Sequence, residues 1–168
     1  MRRFDGFTRG INLGGWLSQY EKFDLDHFAS FIVEDDIKKI ASWGLDHVRV
    51  PVDYMVLEEE DGTRLEVGFD YIDKCIEWCK KYNLHMIIDL HKTYGYSFDP
   101  LDKTDKKIFF TDKDLQKRFF DLWQEIARRY KDYSDFVCFE LLNEIVHFEV
   151  WEDWNKVALE CISKIREV

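Results

Sequence analysis

The sequence predicts an α/β fold in which four strand–helix units follow one another along the chain. The run Val137–Glu144 is apolar apart from one charge and ends in the polar pair Asn143 and Glu144. Such a run is typical of a parallel strand that is covered on both faces. Strand and helix patterns alternate four times without a linker or a low-complexity stretch, which indicates a parallel sheet with helices outside it.

Hydrophobic periodicity and boundary residues define the predicted elements. The predicted strands are Arg9–Leu13, His47–Val50 ended by Pro51, Leu84–Leu90, and the strand within Val137–Glu144. The predicted helices run from Glu34 to a stop at Gly44, and then over Phe69–Tyr82, Asp112–Tyr130 and Val150–Arg166. Between the second strand and the second helix, the acidic stretch Glu58–Gly62 is interpreted as a solvated turn.

Composition and charge limit the possible ligands. The chain has 168 residues, and we expect residues 1–168 to form one domain. Its formal net charge of −10 argues against nucleic acid, because phosphate backbones require a basic patch. Aromatic residues make up 17% of the chain, which suits a large core and also stacking surfaces for sugar rings. A neutral polysaccharide fits this balance.

No motif for a membrane anchor, a metal or a cofactor is recognised. The first ten residues contain no apolar stretch, so we expect neither a signal peptide nor an anchor, and a cytoplasmic or unassigned location. The four cysteines, among them Cys75, Cys79 and Cys138, are interpreted as buried free thiols. There is no Cys-x-x-Cys pair for zinc, and the Gly14-Gly15 turn does not match a phosphate loop.

Polar residues gather at the ends of the predicted strands. They are Asn12 in the first, Arg49 in the second, Asp89 and His91 at the third, and Asn143 and Glu144 at the fourth. Because the carboxyl ends of parallel strands open onto one face, these side chains are expected to meet there. Strand ends are commonly polar, and the alternative interpretation of Arg49 is a structural ion pair. Four units that deliver polar groups to one face favour a functional site.

Aromatic residues lie next to these strand ends. Trp16 follows the Gly14-Gly15 turn, and it is either a core side chain or a stacking platform for a sugar. Tyr94 and Tyr96 belong to the loop Lys92–Phe110, which has the length and the aromatic content of a binding loop. We expect Trp16, Asn12, Tyr94 and Tyr96 to contact substrate.

Four motifs in order resemble successive strands of family 5 glycoside hydrolases. They read R-G-I-N-L-G-G-W, H-V-R-V-P, I-I-D-L-H and F-E-L-L-N-E, and the similarity, closest to clostridial endoglucanases, runs from about Arg9 to Val168. The resemblance implies a TIM (β/α)8 barrel that cleaves β-1,4-glucans or related β-glycans. It also implies that Arg49 supports the active-site carboxylates and that His91 lines the cleft. Asn143 would contact the sugar 2-hydroxyl, and Glu144 would be the acid/base.

Two features depart from the family pattern. Family members often carry His-His after the third strand, where this chain has His91-Lys92. The family barrel has eight strands with its nucleophilic glutamate on the seventh, whereas the sequence in hand contains four strand–helix units, so half of a barrel is expected. A closed barrel typically needs about 250 residues. We therefore expect completion by a second copy in a two-fold homodimer, or by a separate C-terminal half-barrel.

That expectation rests partly on which residues line the barrel. Val48, Val50, Met86 and Ile88 are interpreted as barrel lining that four strands alone would leave exposed. Three functions remain open. The first is a glycoside hydrolase on β-1,4-glucan or cello-oligosaccharide in which Glu144 acts and another chain supplies the nucleophile. The second is an impaired or binding-only half-barrel that dimerises, and the third is a fragment whose only property is assembly.

Overall fold

A computed structural model describes residues 5–99, 107–146 and 148–168. Across these residues the chain forms four β-strands and six α-helices. In chain order they are β1 (Gly10–Asn12), α1 (Leu25–Ser30), α2 (Glu34–Ser42), β2 (His47–Asp53), α3 (Tyr54–Leu57), α4 (Glu66–Lys81), β3 (His85–Lys92), α5 (Lys113–Tyr130), β4 (Val137–Glu140) and α6 (Trp151–Arg166). None of the helices in these three ranges is long and apolar enough to cross a membrane.

The four strands form one parallel sheet in the order β1-β2-β3-β4, which confirms the predicted α/β fold. The register pairs Asn12 with Arg49, Arg49 with Ile87, and Asp89 with Glu140. Because all strands run the same way, their carboxyl ends lie at a single edge of the sheet. The predicted site residues come from that edge.

The two faces of the sheet differ in composition, and the prediction that Val48, Val50, Met86 and Ile88 line the barrel is wrong. The residues that face the helices are fully buried: Val48, Val50, Val52, Met86, Ile88 and Leu90. Side chains alternate along a strand, so Arg49, Asp89 and Glu140 lie on the opposite, concave face. These three side chains make the concave face polar near the carboxyl ends of the strands. The prediction failed because, in a strand covered on both sides, apolar character does not distinguish the two faces.

Local chemistry explains several element boundaries. Asp24 and Asp112 cap α1 and α5 by accepting hydrogen bonds from backbone N–H groups of the first turn. Helix α4 begins at Glu66 and not at the predicted Phe69, so it includes Gly68. A Cβ atom at Gly68 would lie 1.8 Å from the carbonyl oxygen of Val56, so only glycine allows α3 and α4 to pack this closely.

Strand β2 continues through Pro51 to Asp53, which corrects its predicted end at Val50. The backbone carbonyl oxygen of Arg49 accepts a hydrogen bond from Leu13 N–H. On the same side of β2, the backbone N–H of Asp53 donates to the carbonyl oxygen of Leu17. Pro51 lies between these two bonds and faces the turn that follows β1. The missing N–H of the proline therefore removes no bond from the sheet.

The acidic stretch after α3 is not a solvated turn at its first residue. Glu58 is 2% exposed, and its carboxylate pairs with Arg64 and with Arg118 of α5. Arg118 also donates to the carbonyl oxygens of Glu59 and Glu60, at 2.6 and 2.5 Å. These contacts bind the loop to α5.

Candidate active site

Arg49 is the centre of a polar cluster on the concave face. Its Nε and Nη2 atoms donate to the two carboxylate oxygens of Glu140, both at 2.7 Å. Its Nη1 donates to Asn12 Oδ1 at 2.8 Å. A guanidinium held through two parallel bonds has a fixed plane and a fixed direction. Arg49 therefore presents the same geometry to its other neighbours.

Asp89 joins Arg49 to His91. Its carboxylate is fully buried, and Oδ2 lies 2.8 Å from Arg49 Nη2 and 2.7 Å from His91 Nδ1. Burial raises the pKa of Asp89, while the contacts with His91 and Arg49 act in the opposite direction. The other oxygen, Oδ1, has no hydrogen-bond partner among the described residues.

Asn143 and Glu144 follow β4 directly. Asn143 Oδ1 accepts from Arg49 Nη2 at 3.0 Å, and its Nδ2 lies 3.5 Å from His91 Nε2. Glu144 has a φ of 53°, in the left-handed region that non-glycine residues seldom occupy. The Tyr96 hydroxyl donates to the Glu144 carbonyl oxygen at 2.7 Å. The Tyr96 hydroxyl thus stabilises the backbone turn that exposes the Glu144 side chain.

A cavity of about 560 Å³ opens beside these residues. This volume falls in the range of small-molecule sites, which is roughly 300–1,000 Å³. Glu144, Asn143 and His91 form one wall. The others are formed by the segment after β1, the last residue of β3 and the segment that follows it: Gln19, Tyr20, Glu21, Lys92, Ser97, Phe98 and Asp99.

A second cluster of charged side chains, formed by Lys92, Asp99 and Asp53, lies at the cavity. Lys92 Nζ is 3.1 Å from Asp99 Oδ2 and 3.6 Å from Asp53 Oδ2. Asp53 is 2% exposed and accepts a hydrogen bond from Ser18 Oγ at 2.6 Å. Burial raises the pKa of Asp53, against the hydrogen bond from Ser18 and the charge of Lys92. Lys92 thus joins the segment after β3 to the end of β2.

Three of the aromatic residues expected to bind substrate have other positions. Trp16 is fully buried, and its Nε1 donates to Phe28 C=O at 2.8 Å, so it is a core side chain. Tyr96 is 1% exposed, and its hydroxyl is turned toward the Glu144 backbone. The Tyr94 ring packs against the Arg118 guanidinium, 3.8 Å from the ring centroid. Phe98, which is 37% exposed, is an aromatic side chain that lines the cavity.

The other predicted residues are brought together. Asn12, Arg49, His91 and Asn143 belong to one hydrogen-bonded cluster, and Glu144 lines the adjoining cavity. The sequence reasoning missed Glu140 and Asp53 as members of the site. Glu140 is the single charge within the apolar β4 run, and this exception was the available signal. Within the described residues, no group of three or more His, Cys, Asp or Glu side chains is arranged to hold a metal ion.

Comparison with known proteins identifies close relatives of this chain. It is 49% identical over 164 residues to Endoglucanase C of Acetivibrio thermocellus, covering 96% of this chain and 47% of that protein. It is 45% identical to Cellodextrinase A of Ruminococcus flavefaciens, covering 100% of this chain and 49% of the relative. The chain thus spans about half the length of the curated relatives it matches.

Solved structures and a family model agree with these relatives. The crystal structure of endoglucanase Cel5A from the hyperthermophilic Thermotoga maritima superposes with a TM-score of 0.75 at 26% identity, over 97% of this chain and 48% of that one. This coverage agrees with the predicted half of a TIM barrel. The family model named cellulase (glycosyl hydrolase family 5) matches residues 8–168. The four parallel strand–helix units, together with this match, show that the chain belongs to glycosyl hydrolase family 5.

Proposed function

We propose that this site takes part in the hydrolysis of β-1,4-glucan or cello-oligosaccharide. The observation that carries the proposal is the position of Glu144 on the wall of the cavity, next to the cluster of Arg49, Asn143 and His91. The names of the relatives, an endoglucanase and a cellodextrinase, support a glucan substrate. Structures of the Thermotoga maritima enzyme with cellobiose and with mannotriose support a groove for short β-glycans.

In this proposal Glu144 is the general acid/base. Its exposed side chain can reach a ligand in the cavity, and general acid catalysis at the glycosidic oxygen requires such contact. Asn143 and His91 would bind sugar hydroxyl groups. Arg49 would hold Asn143 and balance the charge of the carboxylates around it.

A glycosidase also needs a second carboxylate, about 5 Å from the first for retention and roughly 6.5–9.5 Å for inversion. On the concave face, both Asp89 and Glu140 are bound to Arg49. We therefore propose that the second carboxylate comes from strand–helix units that complete the barrel and lie outside residues 1–168. Under this proposal, residues 1–168 form one (β/α)4 unit.

The test is hydrolysis of cello-oligosaccharides by a completed barrel, formed by mixing the chain with the C-terminal half of Endoglucanase C. Glu144→Gln keeps the shape of the side chain but cannot donate the proton. Activity should fall by about 100- to 10,000-fold. The control is Glu152→Gln, because Glu152 is an exposed carboxylate on α6. Undiminished turnover in Glu144→Gln would remove this residue from the mechanism.

Binding without hydrolysis is the second candidate function. It is favoured by the binding groups already present on the described cavity wall, such as Asn143, His91 and Phe98, while Asp89 and Glu140 are engaged. Calorimetric titration of the completed barrel with cellotetraose, together with a reducing-sugar assay on the same sample, separates the two functions. Heat of binding without product would support binding alone.

For the isolated chain, the partner we propose is a second copy in a two-fold dimer. The three residues of β1 are exposed, and β1 and β4 each have one neighbouring strand in the described sheet. A two-fold axis would place β4 of one copy beside β1 of the other. The interface should be large, above about 2,000 Å², as in obligate dimers. Light scattering that shows a stable folded monomer of 20.4 kDa would contradict the dimer.

A further inference from the structure

Four side chains of the candidate site form a closed ring. Arg49 contacts Asn143, Asn143 contacts His91, His91 contacts Asp89, and Asp89 contacts Arg49. The four distances along this ring are 3.0, 3.5, 2.7 and 2.8 Å. Two members have a fixed hydrogen-bonding role. Arginine can only donate and an ionised carboxylate can only accept, whereas an amide and an imidazole can each be oriented in two ways.

The donor Arg49 fixes the orientation of the Asn143 amide. If the amide were turned over, its NH2 group would face the guanidinium, and two donors would oppose each other. Oδ1 must therefore face Arg49, and Nδ2 must face His91. Since Nδ2 is a donor, His91 Nε2 is the acceptor in this contact.

The acceptor Asp89 leads to the same assignment from the other side of the ring. Its Oδ2 lies 2.7 Å from His91 Nδ1, so Nδ1 must carry the hydrogen. The neutral ring then has a lone pair on Nε2, which is the atom that Asn143 approaches. Two independent constraints thus select one tautomer. The surroundings add to this effect, since Asp89 is fully buried and the His91 side chain is 11% exposed.

We propose that Asp89 is a positioning residue of this site: through Oδ2 it holds His91 as the Nδ1–H tautomer, so that the cavity wall presents Nε2 of His91 as an acceptor and the amide NH2 of Asn143 as a donor. This inference rests on the proposed function only where it calls the cavity a substrate site. The ligand class that matches is a hydroxyl group, which can accept from Asn143 and donate to His91. A ligand group that only accepts can bind the amide NH2 of Asn143 but cannot donate to Nε2, whereas a hydroxyl group can also donate to Nε2 in place of its 3.5 Å contact with Asn143.

One oxygen of Asp89 makes both contacts, and this predicts how two substitutions differ. Asp89→Asn can place its carbonyl oxygen where Oδ2 was and its amide in the position of Oδ1, which has no partner among the described residues. The Nδ1–H tautomer should then persist. Asp89→Val removes the acceptor, and valine is compatible with a buried strand position. Arg49 keeps its two bonds to Glu140 in both variants.

The test is the tautomer of His91 in the ¹⁵N-labelled 168-residue chain, read from two-bond ¹⁵N–¹H correlations at about pH 9, well above the ordinary histidine pKa of roughly 6.5. The signals of His91 are those missing in His91→Gln. The Nδ1–H form should be favoured more than about tenfold in the wild type and in Asp89→Asn, because hydrogen bonds to charged or buried acceptors are strong. The preference should be lost in Asp89→Val. The matched control is Asp73→Asn, because Asp73 accepts a hydrogen bond from the Tyr130 hydroxyl outside the site.

An Nε2–H tautomer in the wild type would overturn the inference, even if neither Asp89 variant folds. Persistence of Nδ1–H in Asp89→Val would show that Asp89 does not hold the ring. Loss of the Nδ1–H tautomer in Asp89→Asn would overturn the assignment of the contacts with Arg49 and His91 to the single oxygen Oδ2 of Asp89. None of these readouts needs turnover. A completed barrel that hydrolyses nothing while His91 remains Nδ1–H would therefore refute the proposed hydrolysis and leave the role of Asp89 intact.

Discussion

The hydroxyl group of Tyr96 donates a hydrogen bond of 2.7 Å to the carbonyl oxygen of Glu144, a residue 48 positions further along the chain. This bond joins the segment after β3 to the turn after β4. Burial, and then the charge of Glu144, raises the pKa of Tyr96 to about 12, so the phenol remains a donor at neutral pH. The bond supports a turn in which Glu144 has a φ of 53°.

Replacing Tyr96 with phenylalanine should lower the free energy of unfolding by about 1–2 kcal/mol. The substitution leaves the buried ring in place but removes one hydrogen bond, so the Glu144 carbonyl loses its donor. Urea denaturation measures the change. If activity or glucan binding is present, it should decrease as well, because the turn that carries Glu144 loses its support. An unchanged unfolding midpoint would show that this bond does not stabilise the turn.

Trp16→Ala should destabilise the protein by about 3–5 kcal/mol, the range for truncation of a large buried aromatic residue. Trp16 is fully buried, and its indole N–H is bonded to Phe28 C=O. Chemical denaturation is the measurement. The matched control is Trp43→Ala at a side chain that is 58% exposed, where the change should stay within about 0.5 kcal/mol. A Trp16 variant of normal stability with weakened glucan binding would restore the sugar-platform hypothesis.

Glu58→Gln should lower stability by up to about 3 kcal/mol, because the substitution leaves two arginines without their shared carboxylate. The value lies at the low end of the range for broken buried pairs, since the side chains of Arg64 and Arg118 are 23% and 18% exposed. Thermal unfolding at low and high salt measures the effect. Glu59→Gln, at an exposed neighbour, is the control. Equal stability of the two variants would contradict a structural role for Glu58.

The stability of the wild type relative to Asp53→Asn should decrease as the pH rises above 3.8, through the raised folded-state pKa of Asp53. The folded-state pKa of Asp53 is raised, first by burial, above its unfolded value of 3.8. Between these two pKa values the folded protein binds more protons than the unfolded chain. The contribution of Asp53 is therefore fully present below the unfolded pKa and is lost as the pH rises through the folded pKa.

Urea denaturation of both proteins at several pH values isolates this contribution, because the other ionisable groups are shared. The difference in the free energy of unfolding should shift in favour of Asp53→Asn with increasing pH. A constant difference, or one that grows in favour of the wild type, would contradict the raised pKa.

Local pattern was enough for the order of the elements and for several members of the site. The period of two in the strands, the period of 3.6 in the helices and the polar ends of the strands are properties of adjacent residues. Parallel strands then bring Arg49, His91 and Asn143 to one edge, because their carboxyl ends coincide. The alternation of units and the four motifs by themselves thus determined the half-barrel fold and the family.

Only the tertiary structure decided which side chains are buried and which are paired. Glu140 binds Arg49 across 91 positions, and Glu58 is covered by Arg118 across 60 positions. Neither pairing is visible in a local pattern, because it depends on how distant elements pack. The same holds for Trp16, whose burial is set by contact with Phe28 and α4, and for the helix-facing valines of β2. An apolar strand covered on both faces carries no local signal of which face meets the helices, so packing alone made that choice.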